Sequence, residues 1–173
     1  MTYRYRQLDR LEAVASGWLA RHSVDVLRVS LGLVFLGFGV LKFFPGLSPA
    51  ENMAEDTMSA LTLGLVPESV GLVLVAALET AIGLSLTTGR WLRLGVALLG
   101  VAMVGILSPL VLLTDDLFAR PYEPTLAGQY VLKDLVLVAG GLVVASNVLR
   151  GRRLADRLEP APRPAVRRRA AGS

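Results

Sequence analysis

Apolar residues are gathered into four long runs, and polar residues fall almost entirely in the stretches between them. The runs extend from about Val24 to Phe44, Ser69 to Thr87, Trp91 to Leu113 and Leu126 to Leu149. Each is near the ~20 residues needed to cross a ~30 Å hydrocarbon layer at ~1.5 Å per residue. Backbone N–H and C=O groups find no water in that layer, so each run predicts a helix that satisfies them internally. Helices of a soluble bundle would carry a polar face, which these runs lack. The predicted fold is all-α, an integral membrane four-helix bundle.

The flanking stretches divide the chain further. Residues 7–20 place Leu8, Leu11, Ala15, Trp18 and Leu19 on one helical face, so residues 1–23 read as an amphipathic segment at the membrane interface. Between the first two runs, Ser48-Pro49-Ala50-Glu51 reads as a capping box with Pro at the first helical position. It predicts a short outer-surface helix from about Pro49 to Leu61, presenting Met53, Met58 and Leu61 to the membrane or the bundle. Residues 24–149 form the four-helix domain. Residues 150–173, rich in Arg, Pro and Ala, read as a disordered basic tail.

Charge sets the orientation. Arg4, Arg6, Arg10 and Arg21 precede the first run, Arg90 and Arg93 lie between the second and third, and eight arginines follow Leu149. The two remaining loops hold Glu51, Glu55, Asp56, Glu68, Asp115, Asp116 and Glu123 against one basic residue, Arg120. By the positive-inside rule both termini are cytoplasmic, and the expected location is a bacterial inner membrane crossed several times. The first run starts late, lacks an Ala-x-Ala site and reads as a signal anchor. The pI near 10.0 follows from these one-sided arginines and needs no nucleic acid. Arg150, Arg152, Arg153, Arg167, Arg168 and Arg169 are candidates for lipid headgroup contact, at about 1 kcal/mol each near an anionic surface. Their alternative role is to determine topology alone.

With 173 residues, 53% of them hydrophobic and 18% charged, the chain is one domain with few polar groups to spare. It has no Cys, which removes disulfides, thiol redox chemistry and thiolate-bound iron–sulfur clusters. Its one His, His22, lies outside the runs, so no imidazole pair is available for an intramembrane haem, and no metal site is expected. There is no phosphate-binding loop and no nucleophile paired with a base.

Ionisable residues inside spans are costly unless paired or wetted, which singles out Lys42, Glu79, Lys133 and Asp134. At ~1.5 Å per residue, Glu79 lies about 15 Å from the outer end of its run, Asp134 about 12 Å, Lys133 about 10 Å and Lys42 about 3 Å. Arg28, Gly32, Phe35, Gly39 and Lys42 share one stripe of the first span, and its glycines allow close approach of another helix. Glu79 shares a face with Ala76 and Gly83, and Asp134 with Val138, Gly141 and Ala145. The pattern predicts a buried polar cluster of the four residues in the outer half of the bundle, although Lys133 and Asp134 are about 100° apart and cannot address the same neighbour. Competing readings have Lys42 snorkelling outwards as an anchor, and Lys133 with Asp134 joining helices structurally. A mid-bilayer carboxylate is the hardest to explain structurally, so Glu79 is the strongest functional candidate. Gly95, Gly100 and Gly105 are not at close-packing spacing and read as easing bending. Pro109, after Ser108, predicts a kink.

Four segments together resemble the DoxX-like family of small four-helix bacterial inner-membrane proteins. They are Leu27-Arg28, Gly37-Phe38-Gly39-Val40-Leu41-Lys42-Phe43, Glu79-Thr80-Ala81-Ile82-Gly83 and Gly128-Gln129-Tyr130-Val131-Leu132-Lys133-Asp134. The resemblance covers about residues 24–149, and the Lys-Asp pair is most similar to the branch linked to survival under oxidants. It implies a role in redox or oxidative stress, with a membrane or cytoplasmic redox protein as partner, and it makes quinone the one cofactor class to consider. Without Cys or intramembrane His the chain cannot hold the usual electron carriers, so a non-enzymatic subunit or anchor is the expected function. The alternatives are a quinone-binding component of a membrane oxidoreductase, with Glu79 or Lys133 handling protons, and a small proton-coupled transporter. A homo-oligomer remains open.

Overall fold

Among the described residues four helices are long and apolar enough to cross a membrane: Glu12–Leu41, Glu68–Thr88, Leu92–Leu112 and Leu126–Gly151. The computed structural model describes residues 2–44, 46–48, 51–120 and 122–158, with 2–11 and 152–158 as helical backbone alone. In chain order the elements are α1 (Thr2–Leu41), α2 (Glu51–Thr62), α3 (Glu68–Thr88), α4 (Leu92–Leu107), α5 (Pro109–Leu112), α6 (Thr114–Leu117), β1 (Phe118–Arg120), β2 (Glu123–Pro124) and α7 (Leu126–Leu158). The two strands form a small antiparallel ribbon, an addition to the all-α pattern confined to the loop before α7.

The spanning helices pack in a ring, α1 on α3, α3 on α4, α4 on α7 and α7 on α1. Leu31, Phe35, Ile82, Leu86, Leu99, Ala102 and Val144 fill its centre. Large apolar side chains such as Leu33, Leu84, Val104 and Val136 point outwards, as lipid solvation allows. The protein is therefore a multi-pass membrane protein in contact with lipid. The start of α1 and the end of α7 lie at the same end of the four-helix ring, opposite α2.

Two expected boundaries shift. The N-terminal segment is continuous with the first span, since α1 runs unbroken from Thr2 to Leu41. No proline precedes Pro45, so nothing in the sequence breaks the backbone ladder. At the other end, α7 continues beyond Leu149 to Leu158, where a disordered tail was expected. Arg, Leu and Ala dominate residues 150–158 and are strong helix formers, while Pro160 lies just beyond. The rest of the expected tail, including Arg167, Arg168 and Arg169, lies outside the described residues.

The glycines of α1 and α3 behave as their spacing indicated. A Cβ on Gly39 would lie 2.7 Å from the Thr80 nitrogen and 2.9 Å from the Glu79 Cβ, and one on Gly83 would collide with the Leu36 backbone. Gly95 also sits at a contact, against the Ser85 side chain, and so serves packing rather than bending. Ser85 in turn donates its hydroxyl to the Arg90 carbonyl at 2.9 Å, holding the tight α3–α4 link. Gly100 and Gly105 face open space. Where a kink was expected, Pro109 interrupts the hydrogen-bond ladder between α4 and α5, but Ser108 keeps helical torsions (φ −59, ψ −33) and the span continues to Leu112.

α2 begins close to its expected position, but its start is built differently. Glu51 accepts a hydrogen bond from the Gly46 amide at 2.7 Å, not from Ser48. The Ser48 hydroxyl is buried without a partner among the described residues. Pro49 and Ala50 lie outside them. α2 ends at a reversal through Leu63 (φ 53) and Gly64 (φ 73), with the Gly64 amide bonded to the Ser59 carbonyl at 2.9 Å. The chain thus folds α2 back onto the end of α3, with Met58 against Gly71.

Candidate functional site

Where the apolar core ends, one turn beyond Ile82 and two beyond Phe35, three ionisable side chains converge. Lys42 is the first residue past α1, and its side chain turns into the bundle, only 4% exposed. Its ammonium donates to the Glu79 carboxylate of α3 at 2.6 Å. The close approach at Gly39 brings the helices together at the level of Glu79 and Thr80, and Lys42 follows Gly39 by about one helical turn. The Lys42 Nζ also lies 5.8 Å from the Phe38 ring centre. Asp134, from α7, completes the group. The snorkelling alternative for Lys42 therefore does not describe this arrangement.

The three residues separate two cavities. The larger, about 470 Å³, lies beneath α2 and between α3 and α4, and Lys42, Glu79 and Asp134 are its only ionisable lining residues among those described. Met53, Met58, Leu78, Val101 and Ile106 make up much of its apolar wall. The smaller, about 120 Å³, lies towards α1 and α7 and is lined by the same three residues with Phe35, Phe38 and Tyr130. The larger volume falls in the range of small-molecule pockets, and its make-up is typical of them: apolar walls with a few convergent polar groups.

Lys133 does not join the cluster. It is exposed, with its ammonium 5.3 Å from the Tyr130 ring centre, and lines neither cavity. The 100° step between neighbouring helical residues turns it away while Asp134 faces in. The group consequently holds one cation and two carboxylates. Among the described residues the ion pairs are Arg28–Asp25, Lys42–Glu79 and Arg120–Glu123, so Asp134 faces the cavities with no salt bridge of its own. No group of three His, Asp or Glu arranged for a metal occurs among the described residues.

Two parts of the site were not singled out as a cavity wall in the sequence. One is the underside of α2, whose Met53, Thr57, Met58 and Leu61 form the roof. Its methionine spacing was the only signal, and it did not distinguish bundle from membrane. The other is the α4 wall of Val101, Val104, Gly105 and Ile106.

Arg28, on the same α1 stripe, lies at the opposite end of the pair. Its guanidinium donates to the Leu86 carbonyl near the C-terminus of α3, where a cation complements the helix dipole. Among the headgroup candidates Arg150 is exposed on α7, and Arg152 and Arg153 lie on its final helical stretch.

The sequence model of the DoxX family matches residues 23–112, just over half of the chain. The chain belongs to the DoxX family. The match spans α1 to α5 and includes both partners of the Lys42–Glu79 pair. It ends before α7, so Asp134 and the Gly128–Asp134 segment of the resemblance fall outside the DoxX match. No match was found among curated proteins or among solved structures.

Proposed function

We propose that this DoxX protein is a non-enzymatic membrane subunit of a redox or oxidative-stress system, and that its larger cavity holds a lipophilic carrier with a hydrogen-bonding head group. The observation that supports this is the 470 Å³ apolar cavity with Lys42, Glu79 and Asp134 set in one wall. Quinone is the class that fits the donor set. The Lys42 ammonium can donate to a carbonyl oxygen, and the carboxylates of Glu79 and Asp134 can accept from a hydroxyl. When bound, such a carrier would supply the electron chemistry that a chain without Cys cannot. The protein's own part is to orient the head group, exclude water and hold a proton at a carboxylate oxygen.

In this reading the α2 end faces the outside of a bacterial inner membrane. The basic chain ends lie in the cytoplasm, where they offer a surface to a redox partner and to anionic lipid headgroups. The test is gentle extraction into lipid nanodiscs, followed by mass spectrometry of copurifying proteins and small molecules. A quinone retained by the wild type and reduced at least tenfold in Glu79→Gln is the expected result. A clean protein with neither quinone nor partner would overturn the reading in favour of proton-coupled transport.

A further inference from the structure

Three lining residues of the larger cavity are exposed: Leu61 at the end of α2 and, deeper in the bundle, Val101 and Val104 on α4. Val101 is 63% exposed and Val104 is 68% exposed, yet both border the same space as buried Lys42. They lie on the span Leu92–Leu112, about 16 and 12 Å from its end at ~1.5 Å per residue, within the depth of the hydrocarbon layer. The roof is closed by α2, where Thr57 is buried and donates its hydroxyl to the Met53 carbonyl at 2.6 Å. The polar groove on the far side of α2, at Asp56, Ser59 and Asp116, shares no lining residue with the cavity. At the depth of Val101 and Val104 the open side therefore faces lipid.

Gly105 sits in this opening. It lines the cavity, and a Cβ placed on it would meet nothing within 4 Å. Glycine in a helix interior costs roughly 1 kcal/mol relative to alanine, and no close helix contact here explains the residue. Its effect is to leave the passage between α3 and α4 wide.

We propose that the cavity is loaded sideways from the bilayer, through the gap between α3 and α4 beneath α2, by a membrane-dissolved amphiphile whose compact head group both donates and accepts hydrogen bonds, with Gly105 as the threshold. The head meets Lys42 as donor and Asp134 as acceptor, and the tail remains among the valines and the lipid. This deepens the proposed function and rests on it for the identity of the occupant, but the direction of access can be tested without a quinone.

The chain has no Cys, so single Cys substitutions can carry a nitroxide label cleanly. Gly105→Cys and, as a water-facing reference, Asp56→Cys would be labelled in phosphatidylethanolamine/phosphatidylglycerol nanodiscs and probed with oxygen and with nickel–EDDA. The Gly105→Cys label should collide mainly with oxygen, which partitions into lipid, and the reference mainly with nickel. A nickel-dominated label at position 105 would overturn lateral loading. In parallel, retention of decylubiquinol, kept reduced under anaerobic conditions, would be compared in the wild type, Gly105→Phe and Gly100→Phe, the last facing open space but not lining the cavity. A loss of at least tenfold in Gly105→Phe alone is expected, and equal retention by all three would overturn the threshold role. Retention by none, with an oxygen-dominated label, would reject quinone as occupant while supporting the sideways opening.

Discussion

Lys42 lies just past the end of the first spanning helix, yet its ammonium meets Glu79 of α3 at 2.6 Å, with the lysine side chain 4% exposed. A lysine at that depth could have reached the headgroups. Its inward turn gives the cavity its one cation.

Removing that cation leaves two carboxylates in an apolar wall. Lys42→Met should destabilise the protein by about 3 kcal/mol, the lower end for breaking a buried pair, since the cavity is open on one side. The double variant Lys42→Met/Glu79→Gln should recover more than half of the loss. Thermal unfolding of the wild type and the two variants in nanodiscs checks this; no recovery in the double variant would show that the pair contributes little.

Helix approach should matter at Gly83 and not at Gly100. Gly83→Leu drives a side chain into the Leu36 backbone and should cost at least the roughly 1–3 kcal/mol of an overpacked core. Gly100→Leu enters open space and should be neutral or stabilising by up to about 1 kcal/mol, from helix propensity. Denaturation midpoints of the pair give the comparison.

Adjacent charges on α7 should separate in function. Asp134→Asn should lower quinol retention at least tenfold, whereas Lys133→Met should leave it within twofold, because Lys133 lines neither cavity. Equal effects from both would mean that the site extends to the outer face of α7.

Orientation follows from the arginine distribution and is checked by fusions. Green fluorescent protein joined after Ser173 should fluoresce, and alkaline phosphatase joined after Leu63 should be active. The reverse pattern would invert the proposed sidedness.

Spacing made the architecture legible because membrane helices must satisfy their backbone internally and must pack through small residues. The runs, the Gly32–Gly39 stripe and the Glu79–Gly83 face all follow from those two constraints, whereas the identity of the helix that meets the α1 stripe, α3, did not. The length of α1 and α7 did not follow, since hydropathy ends where lipid ends but a helix ends only where the backbone ladder is broken. The rotation of Lys133 away from the cluster was half legible, as the 100° step excluded one of two neighbours without saying which. The cavity itself was hidden. It arises from the distance between α3 and α4 and from α2 folding over their ends, and no local pattern encodes a space. Gly105 accordingly read as a bending residue when it borders an opening.

The central claim is that Lys42, Glu79 and Asp134 form the polar end of a binding site for a lipophilic molecule. Titration of decylubiquinol, kept reduced under anaerobic conditions, into nanodiscs containing the wild type or Glu79→Gln, with empty nanodiscs as the partition reference, tests it most directly. Saturable uptake at one site per chain, at least tenfold weaker in the variant (about 1.4 kcal/mol), is the result expected. Linear uptake indistinguishable from empty nanodiscs in both proteins would contradict it.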